Sequence, residues 1–418
     1  MRAAGPGVHL ETKGGAFLES IRQYLKRTDK LYLLLCIFSS TMAVVALASW
    51  AAKQGSGFAT DELTGAVIGI GDYRRALVQA GAAVLGIILA LLLSCIDYRS
   101  LVKVWPVHVA LTWGLVLPTL FIRNVTIGPL TIGFNAGDTD NYSWYKLGGF
   151  TFQPTELAKI SFILTLALHL SQVRGRVNQP KNLLLLLLHI GVPTALIHIQ
   201  GDDGTALVFL GIGVFMLYAG GLSNWVAGGA LAAGAMGGGV LLKLRPGIIK
   251  GYQFKRILAV ITPDDPNLAD ITYQQNKGAM AIGTGGLTGT GLFTPEHIFV
   301  PNAWNDFIFA YLANVLGFVG AAAVLALLLG VCLRTLTAAL QSRDALGRNI
   351  CVGIFAALFL QTVINLGMNL QVLPVIGVTL PFFSAGGSSV VMMYLCVGLV
   401  LSVGLQARRS RVDAVAIL

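Results

Sequence analysis

Charge is what this chain has least of. Asp, Glu, Lys and Arg make up 11% of its 418 residues, where an ordinary soluble domain carries about 25%. A soluble fold of this length could not cover its surface with so few charges. Cysteine is also scarce: Cys36, Cys95, Cys332, Cys351 and Cys396 all fall in or at the ends of apolar runs, with no CxxC and no His/Cys metal spacing. They read as small buried hydrophobes, which excludes a disulfide scaffold. Nucleotide fingerprints are missing too. The glycine run Gly283–Gly291 is followed by no Gly-Lys-Ser/Thr, so it is not a phosphate-binding P-loop, which argues against ATP-driven transport by this chain alone. No GxSxG and no HExxH occurs, and the scattered histidines, His108, His169, His189, His198 and His297 among them, read as packing residues. What is present is apolar: 55% hydrophobic residues and a mean hydropathy of +0.74. That composition excludes disorder and points to a polytopic membrane protein. The 50 glycines suit helices that pack closely or break within a bilayer.

Ten apolar stretches are long enough to cross as helices, at about 31–50, 76–96, 101–122, 154–171, 182–200, 204–221, 224–243, 306–331, 348–371 and 380–405. The last holds Gly386 and Gly387 near its start and so has the makings of a broken or re-entrant helix. The first run follows a charged tail and is long enough to span, so no cleavable signal peptide is expected. Basic residues set the orientation. With residues 1–30 inside, the inner segments hold Arg22, Lys26, Arg27 and Lys30, then Arg99 and Lys103, then Arg174, Arg176 and Lys181, then Arg334, Arg343 and Arg348, then Arg408, Arg409 and Arg411. The short outer connections hold far fewer. Both termini are therefore expected in the cytoplasm, with residues 31–405 forming the membrane domain and 406–418 a cytoplasmic tail. The net charge of +10 is then a topology signal and an attraction to anionic lipid, not a nucleic-acid footprint. Within the tail, Phe17, Leu18, Ile21, Tyr24 and Leu25 share one helical face, which predicts an interfacial helix. Two outer segments, about 123–153 and 244–305, are too long for simple connectors and should carry function or structure of their own.

Ionisable residues in or beside the membrane are the functional candidates. Asp306 enters the eighth span beside Trp304 and Phe307, where partial desolvation would lift its pKa toward a general base's range. The competing reading is a helix N-cap. Glu156 and Lys159, three apart after Pro154, read as an ion pair on one helix face, structural before catalytic. Asp202 and Asp203 sit in the turn between spans five and six and could cap, gate or hold a cation, although two carboxylates are too few for a metal site. Arg256, with Lys243, Arg245, Lys250 and Lys255, forms an outer basic cluster, and Lys277 follows. Pyrophosphate is a fitting ligand for such a cluster, with the glycine run approaching it; anionic lipid, or a long loop's tolerance of charge, is the plainer reading.

Five motifs then resemble a known family. Trp144, Gly148, Gln153, Pro154, Thr155, Glu156 and Lys159 follow a W-x-x-L/I-G-x-x-x-x-Q-P-S/T-E-x-x-K signature, and Asp202 to Leu207 resembles P-D-L-G-T-A-L. Tyr273, Gln274 and the run Ala281–Gly291 resemble Y-Q followed by A-I-G-S-G-G-L-x-G-x-G. Asn305 to Ala310 resembles T-D-F-I-F-A. Asn365 to Met368 with Leu373 to Ser389 resembles a closing N-x-G-M…L-P-x-x-G-x-x-L-P-x-x-S-Y-G-G-S-S. The order and number of these matches, from about residue 30 to 405, identify the chain as a member of the SEDS family, the shape, elongation, division and sporulation proteins. The chain departs from the pattern in places: Gly201 to Gly204 replaces Pro-Asp-Leu-Gly, Tyr142 stands where a basic residue is usual, and Ala385 replaces a Tyr.

The resemblance implies an all-α integral membrane protein of about ten spans, with a large extracellular loop between spans seven and eight. It implies a peptidoglycan glycosyltransferase of the bacterial cytoplasmic membrane that polymerises lipid II at the outer face, with a class B penicillin-binding protein as partner. Asp306 is the implied catalytic carboxylate. The resemblance places Trp144 in the same outer-face region. Trp144, Arg256, Lys277, Gln274 and Ser384 are taken as substrate-binding candidates, Arg256 and Lys277 for their charge against the leaving pyrophosphate, and a divalent cation, magnesium or manganese, is a candidate cofactor. A lipid II flippase and a non-catalytic scaffold for the transpeptidase are the alternatives. Alternating access would want a site near the midplane, whereas the acidic and basic candidates collect on one side.

Overall fold

The computed structural model describes residues 22, 24, 26–55, 73–135, 141–148, 150–229, 251–262, 265–294 and 297–416. Nearly all of the tail's apolar face, most of the stretch 224–243, and Lys243, Arg245 and Lys250 lie outside the described residues. Within them the chain threads a helical bundle: α1 (Lys30–Gly55), α2 (Arg74–Cys95), a short α3 (Tyr98–Lys103), α4 (Trp105–Phe121), α5 (Pro154–Gln172), α6 (Pro180–Ile199), α7 (Asp203–Ala219), α10 (Ile308–Gln341), α11 (Ala345–Asn369) and α12 (Gly387–Ala416). Among the described residues, six helices (α1, α2, α6, α10, α11 and α12) are long and apolar enough to cross a membrane unaided. The shorter α4 and α7 have 17 residues each, and the 19-residue α5 carries Glu156 and Lys159. Pro154 and Pro180 open their helices where the missing N–H has no partner to lose, and the Asp97, Asp202 and Asp344 side chains cap α3, α7 and α11.

The described parts of both long loops are structured. The loop before α10 holds α8 (Gly251–Ile261) and α9 (Ala269–Thr284), and α9 packs on α10. The segment after α4 is not helical. It folds as an antiparallel meander of β1 (Val125–Ile127), β2 (Leu130–Phe134), β3 (Trp144–Leu147) and β4 (Phe150–Phe152). The all-α expectation therefore holds for the membrane part and gives way to a small sheet at one end.

The starts of two spans differ most from the hydropathy reading. The third span begins at Trp105 after a break at Val104. The last helix begins at Gly387, because 381–386 forms a turn. α10 is kinked at Gly317 (φ 66°). Here the glycine run finds its partner: the amides of Thr290 and Gly291 donate to the Asn314 and Val315 carbonyls, and those of Phe318 and Val319 donate to Gly286 and Leu287. A Cβ on Gly289 would lie 2.2 Å from the Val315 oxygen. The run's close backbone approach thus serves a helix kink, whose freed peptide groups need partners inside a bilayer.

Candidate functional site

Asp306 lies in the turn leading into α10, and the backbone around it is pinned at three successive carbonyls. The Ala385 amide donates to Trp304 O (2.8 Å), Ser384 Oγ to Asn305 O (2.7 Å), and the amides of Asn365 and Asn369 to Asp306 O (2.8 and 3.0 Å). Asn365 also donates to Val378 O, and Asn369 accepts from the Ala310 amide. Both asparagines are fully buried, four residues apart on α11. The 380–386 turn is itself held from α2: Gln79 Nε2 donates to the Phe382 and Ser384 carbonyls and its Oε1 accepts from Gly386 N. Beside this, Trp304 packs on Trp50 at 4.8 Å, with the Arg75 guanidinium 4.3 Å over its ring.

The carboxylate is not a cap. The N-cap position of α10 falls on Phe307, with no side-chain cap bond. Asp306 keeps some exposed surface as a residue, but its Oδ1 is covered and has no hydrogen-bond partner. Its Oδ2 faces Gly377, whose Cβ position lies 3.7 Å away and whose φ is +71°. The neighbouring Ile376 carbonyl presses on Gly204, where a Cβ would sit 2.3 Å from it. The 373–386 segment therefore joins the start of α7 to Asp306. Burial pushes the Asp306 carboxyl up to about 6; the Arg256 guanidinium opposes the shift and the Asp202 carboxylate adds to it.

Three of the sequence candidates thus share one electrostatic neighbourhood: Asp306, Arg256 on α8, and Asp202 at the start of α7. Asp202 accepts from Thr205 N as a cap and from Gln153 Nε2 at 2.6 Å, and burial raises its pKa. The Glu156 and Lys159 charges reach Asp202 as well, and the two form a buried ion pair at 2.8 Å. Asp203 turns the other way, to His198 at 2.6 Å, so the adjacent aspartates do not converge. Among the described residues no group of three His, Cys, Asp or Glu side chains could hold a metal ion.

Of the remaining candidates, Ser384 stands beside Asp306 and the others lie elsewhere. Gln274 donates to Pro301 O, and Lys277 lies 5.8 Å from the Tyr273 ring. Lys277 lines a separate cavity of about 340 Å³ with Asp265, Thr272 and Asn276. Ser384 is buried, and its hydroxyl is engaged twice, donating to Asn305 O and accepting from Leu380 N. Trp144 stands half-buried at the start of β3, paired with Phe134. The sequence reading assigned no role to Asn365, Asn369 or Gln79. Their signal was an amide inside an apolar span, which must find a partner there.

Replacing Asn365 by Leu leaves Val378 O without its donor and Asp306 O with one of two. We expect a loss of about 1–3 kcal/mol, read as a lower thermal unfolding midpoint in detergent, together with slower turnover.

A bundle of this architecture, with a largely covered carboxylate and a guanidinium in one electrostatic neighbourhood, defines a multi-pass membrane protein with a polar site at one end. Residues 33–409 match the family described as cell cycle protein, FtsW, RodA and SpoVE. The chain is 34% identical over 292 residues to the peptidoglycan glycosyltransferase MrdB of Escherichia coli K12, covering 68% of this chain and 77% of that protein. It is 32% identical over 313 residues to a probable peptidoglycan glycosyltransferase FtsW of Geobacter sp. M18 (72% and 81% covered), and 30% identical over 342 residues to the stage V sporulation protein E of Bacillus subtilis (80% and 87%). Among solved structures, a chain from a peptidoglycan synthase complex that coordinates polymerization and crosslinking superposes with a TM-score of 0.72 at 26% identity, covering 91% of this chain and 98% of that one. The rod shape determining protein RodA of Thermus thermophilus gives 0.58 at 26% identity, covering 90% and 96%. The chain belongs to the FtsW, RodA and SpoVE family of SEDS peptidoglycan glycosyltransferases, the membrane enzymes of cell-wall synthesis that polymerise glycan strands in elongation, division or sporulation.

Proposed function

We propose that this chain polymerises lipid II by an inverting displacement for which Asp306 is the general base. The acceptor's sugar hydroxyl gives its proton to Asp306 as its oxygen bonds to the donor's anomeric carbon. The bond from that carbon to undecaprenyl pyrophosphate breaks on the opposite face, and the electron pair leaves with the pyrophosphate. One base and no carboxylate nucleophile suffice for inversion. The observation that carries this reading is the Asp306 carboxylate: Oδ1 is covered and unpartnered, the pKa is raised to about 6, and the backbone is held by Asn365 and Asn369. A base poised near the working pH accepts a proton without being protonated at rest.

Arg256 offsets the leaving group's charge. Trp144, Gln274 and Lys277 extend the substrate contacts away from the reacting bond, and Ser384 acts by holding Asn305. A divalent cation fits this site only in part: Asp306 has a free oxygen, whereas Asp202 is committed to Gln153 and Thr205. Most of its ligands would come from the pyrophosphate. Bound there, it would neutralise charge on the leaving group. The basic turns Arg174–Lys181 and Arg343–Arg348 lie at the end of the bundle opposite Asp306. This supports cytoplasmic termini and a site at the outer face of the cytoplasmic membrane. The likeness to a chain of a peptidoglycan synthase complex supports a class B penicillin-binding protein as partner.

The test is polymerisation of purified lipid II by the solubilised protein, alone and with its partner, beside Asp306→Asn. Glycan strands from the wild type and none from a folded variant are expected. Equal product from both would remove Asp306 from the chemistry, and no product from either, even with the partner, would favour the flippase or scaffold reading. The pH profile is a second check. A base must be deprotonated, so kcat/KM should be flat above about pH 6 and fall tenfold per unit below it.

A further inference from the structure

Up to the register shift at Gly133, beyond which Phe134 pairs with Trp144, the meander after α4 sorts its side chains by face. Directly opposed residues of paired strands lie on one side of a sheet, and successive residues alternate. One row across the four strands reads Ile127, Leu130, Leu147, Phe150, and a second reads Val125, Ile132, Tyr145, Phe152. Both lie on the same face, which is wholly apolar apart from one phenol hydroxyl. The row between them, Thr126, Thr131, Lys146, Thr151, occupies the other face.

Two contacts show where the apolar face points. Tyr145 donates its hydroxyl to the Leu115 carbonyl of α4, and the Phe150 ring lies against Gly387 at the start of α12. The face is therefore turned toward the bundle end, yet it overhangs the bundle. Val125 is 45% exposed, Ile127 63%, Leu147 54% and Phe150 46%. Below them, Phe121 at the end of α4 is exposed as well, as are Leu117 on α4 and Leu77 and Val78 on α2. The uncovered part of the sheet thus continues the lipid-facing surface of the spans. Cations paired with aromatic rings flank the sheet: Arg123 over Tyr142 at 5.1 Å and, on the threonine face, Lys146 over Phe134 at 4.8 Å. Such pairs are at home at the headgroup level.

The geometry points to the bilayer as the occupant: the sheet is a monotopic interfacial element, its apolar face seated at the headgroup–acyl boundary on the Asp306 side and its threonine face in water. Its chemistry is that of an amphipathic interfacial helix, built from strands. Because Gln153, immediately after β4, bonds to Asp202, the seated sheet also sets the height of the acidic neighbourhood above the membrane. This inference stands whether or not Asp306 is the base.

The test uses the full chain in vesicles of phosphatidylethanolamine and phosphatidylglycerol, in a Cys95→Ser background, since the other four cysteines are buried. A bimane label is placed by Ile127→Cys, Leu147→Cys or Thr126→Cys, and quenching by doxyl-labelled lipid is compared with quenching by aqueous iodide. Labels at 127 and 147 should be quenched several-fold more by lipid than the label at 126, and iodide should show the reverse order. Equal iodide access at all three positions would overturn the assignment. So would labels at 127 and 147 shielded from both quenchers, which would make the occupant a protein. Two positions on the apolar face guard against a local effect of either substitution.

Discussion

Asp306→Asn should abolish polymerisation and, at the same time, stabilise the fold. The loss of activity is expected at about 10²–10⁴-fold, the usual contribution of a positioned general base. The stabilisation follows from the sign of the pKa shift. The carboxyl titrates near 3.8 when solvated and near 6 in the folded protein, so between those values the folded state binds the proton more tightly. Folding stability therefore falls as pH rises through that window, and above it the full penalty of burying the charge is present. Asn carries no charge to bury and keeps the shape. At pH 7.5 the variant should be more stable by about 1–3 kcal/mol. As pH drops toward 4 the difference should vanish, because Asp306 is then neutral in the folded wild type too. Thermal unfolding at pH 7.5, 6, 5 and 4 beside the polymerisation assay reads both effects. A variant that is inactive and less stable at pH 7.5 would make Asp306 a structural residue. An inactive, stabilised variant has the signature of a group held in strained electrostatics for its chemistry.

Much of this arrangement was legible in the chain. The apolar stretches reported the spans because a bilayer leaves only helices and closed barrels to satisfy the backbone. Asp306 stood out because a carboxylate beside an apolar span needs a reason. Its alternative, the cap, fell only to backbone geometry, which puts the N-cap at Phe307. The sheet was missed although its period-two pattern is plain in Val125-Thr126-Ile127 and Phe150-Thr151-Phe152. Strands of three to five residues give too short a window, and the face they form exists only once four of them pair. Asn365, Asn369 and Gln79 were visible as amides in apolar helices, but the carbonyls they hold lie far away in sequence. The glycine run was read toward a phosphate because close backbone approach is all that glycine advertises. The structure shows that what approaches is the kinked backbone of α10.

The largest stability effect should come from the Glu156–Lys159 pair. Both side chains are almost fully buried, the ammonium donates to Oε1 at 2.8 Å, and Glu156 Oε2 has no further partner. Removing one member leaves the other's charge uncompensated, so Lys159→Met should destabilise by about 3–5 kcal/mol, and Glu156→Gln should act in the same direction. Replacing both, as Glu156→Leu with Lys159→Met, removes the desolvated charges together and should return most of that stability, since an apolar pair of similar volume is often neutral. The double variant separates two roles. In a glycosyltransferase built around Asp306 the pair is scaffolding beneath Asp202, and the double variant should regain polymerisation along with its unfolding midpoint. If the pair instead carried charge during substrate movement across the membrane, the double variant would refold to full stability and stay inactive. Stability and turnover measured on the same preparations decide between them, because the first reading couples the two recoveries and the second uncouples them.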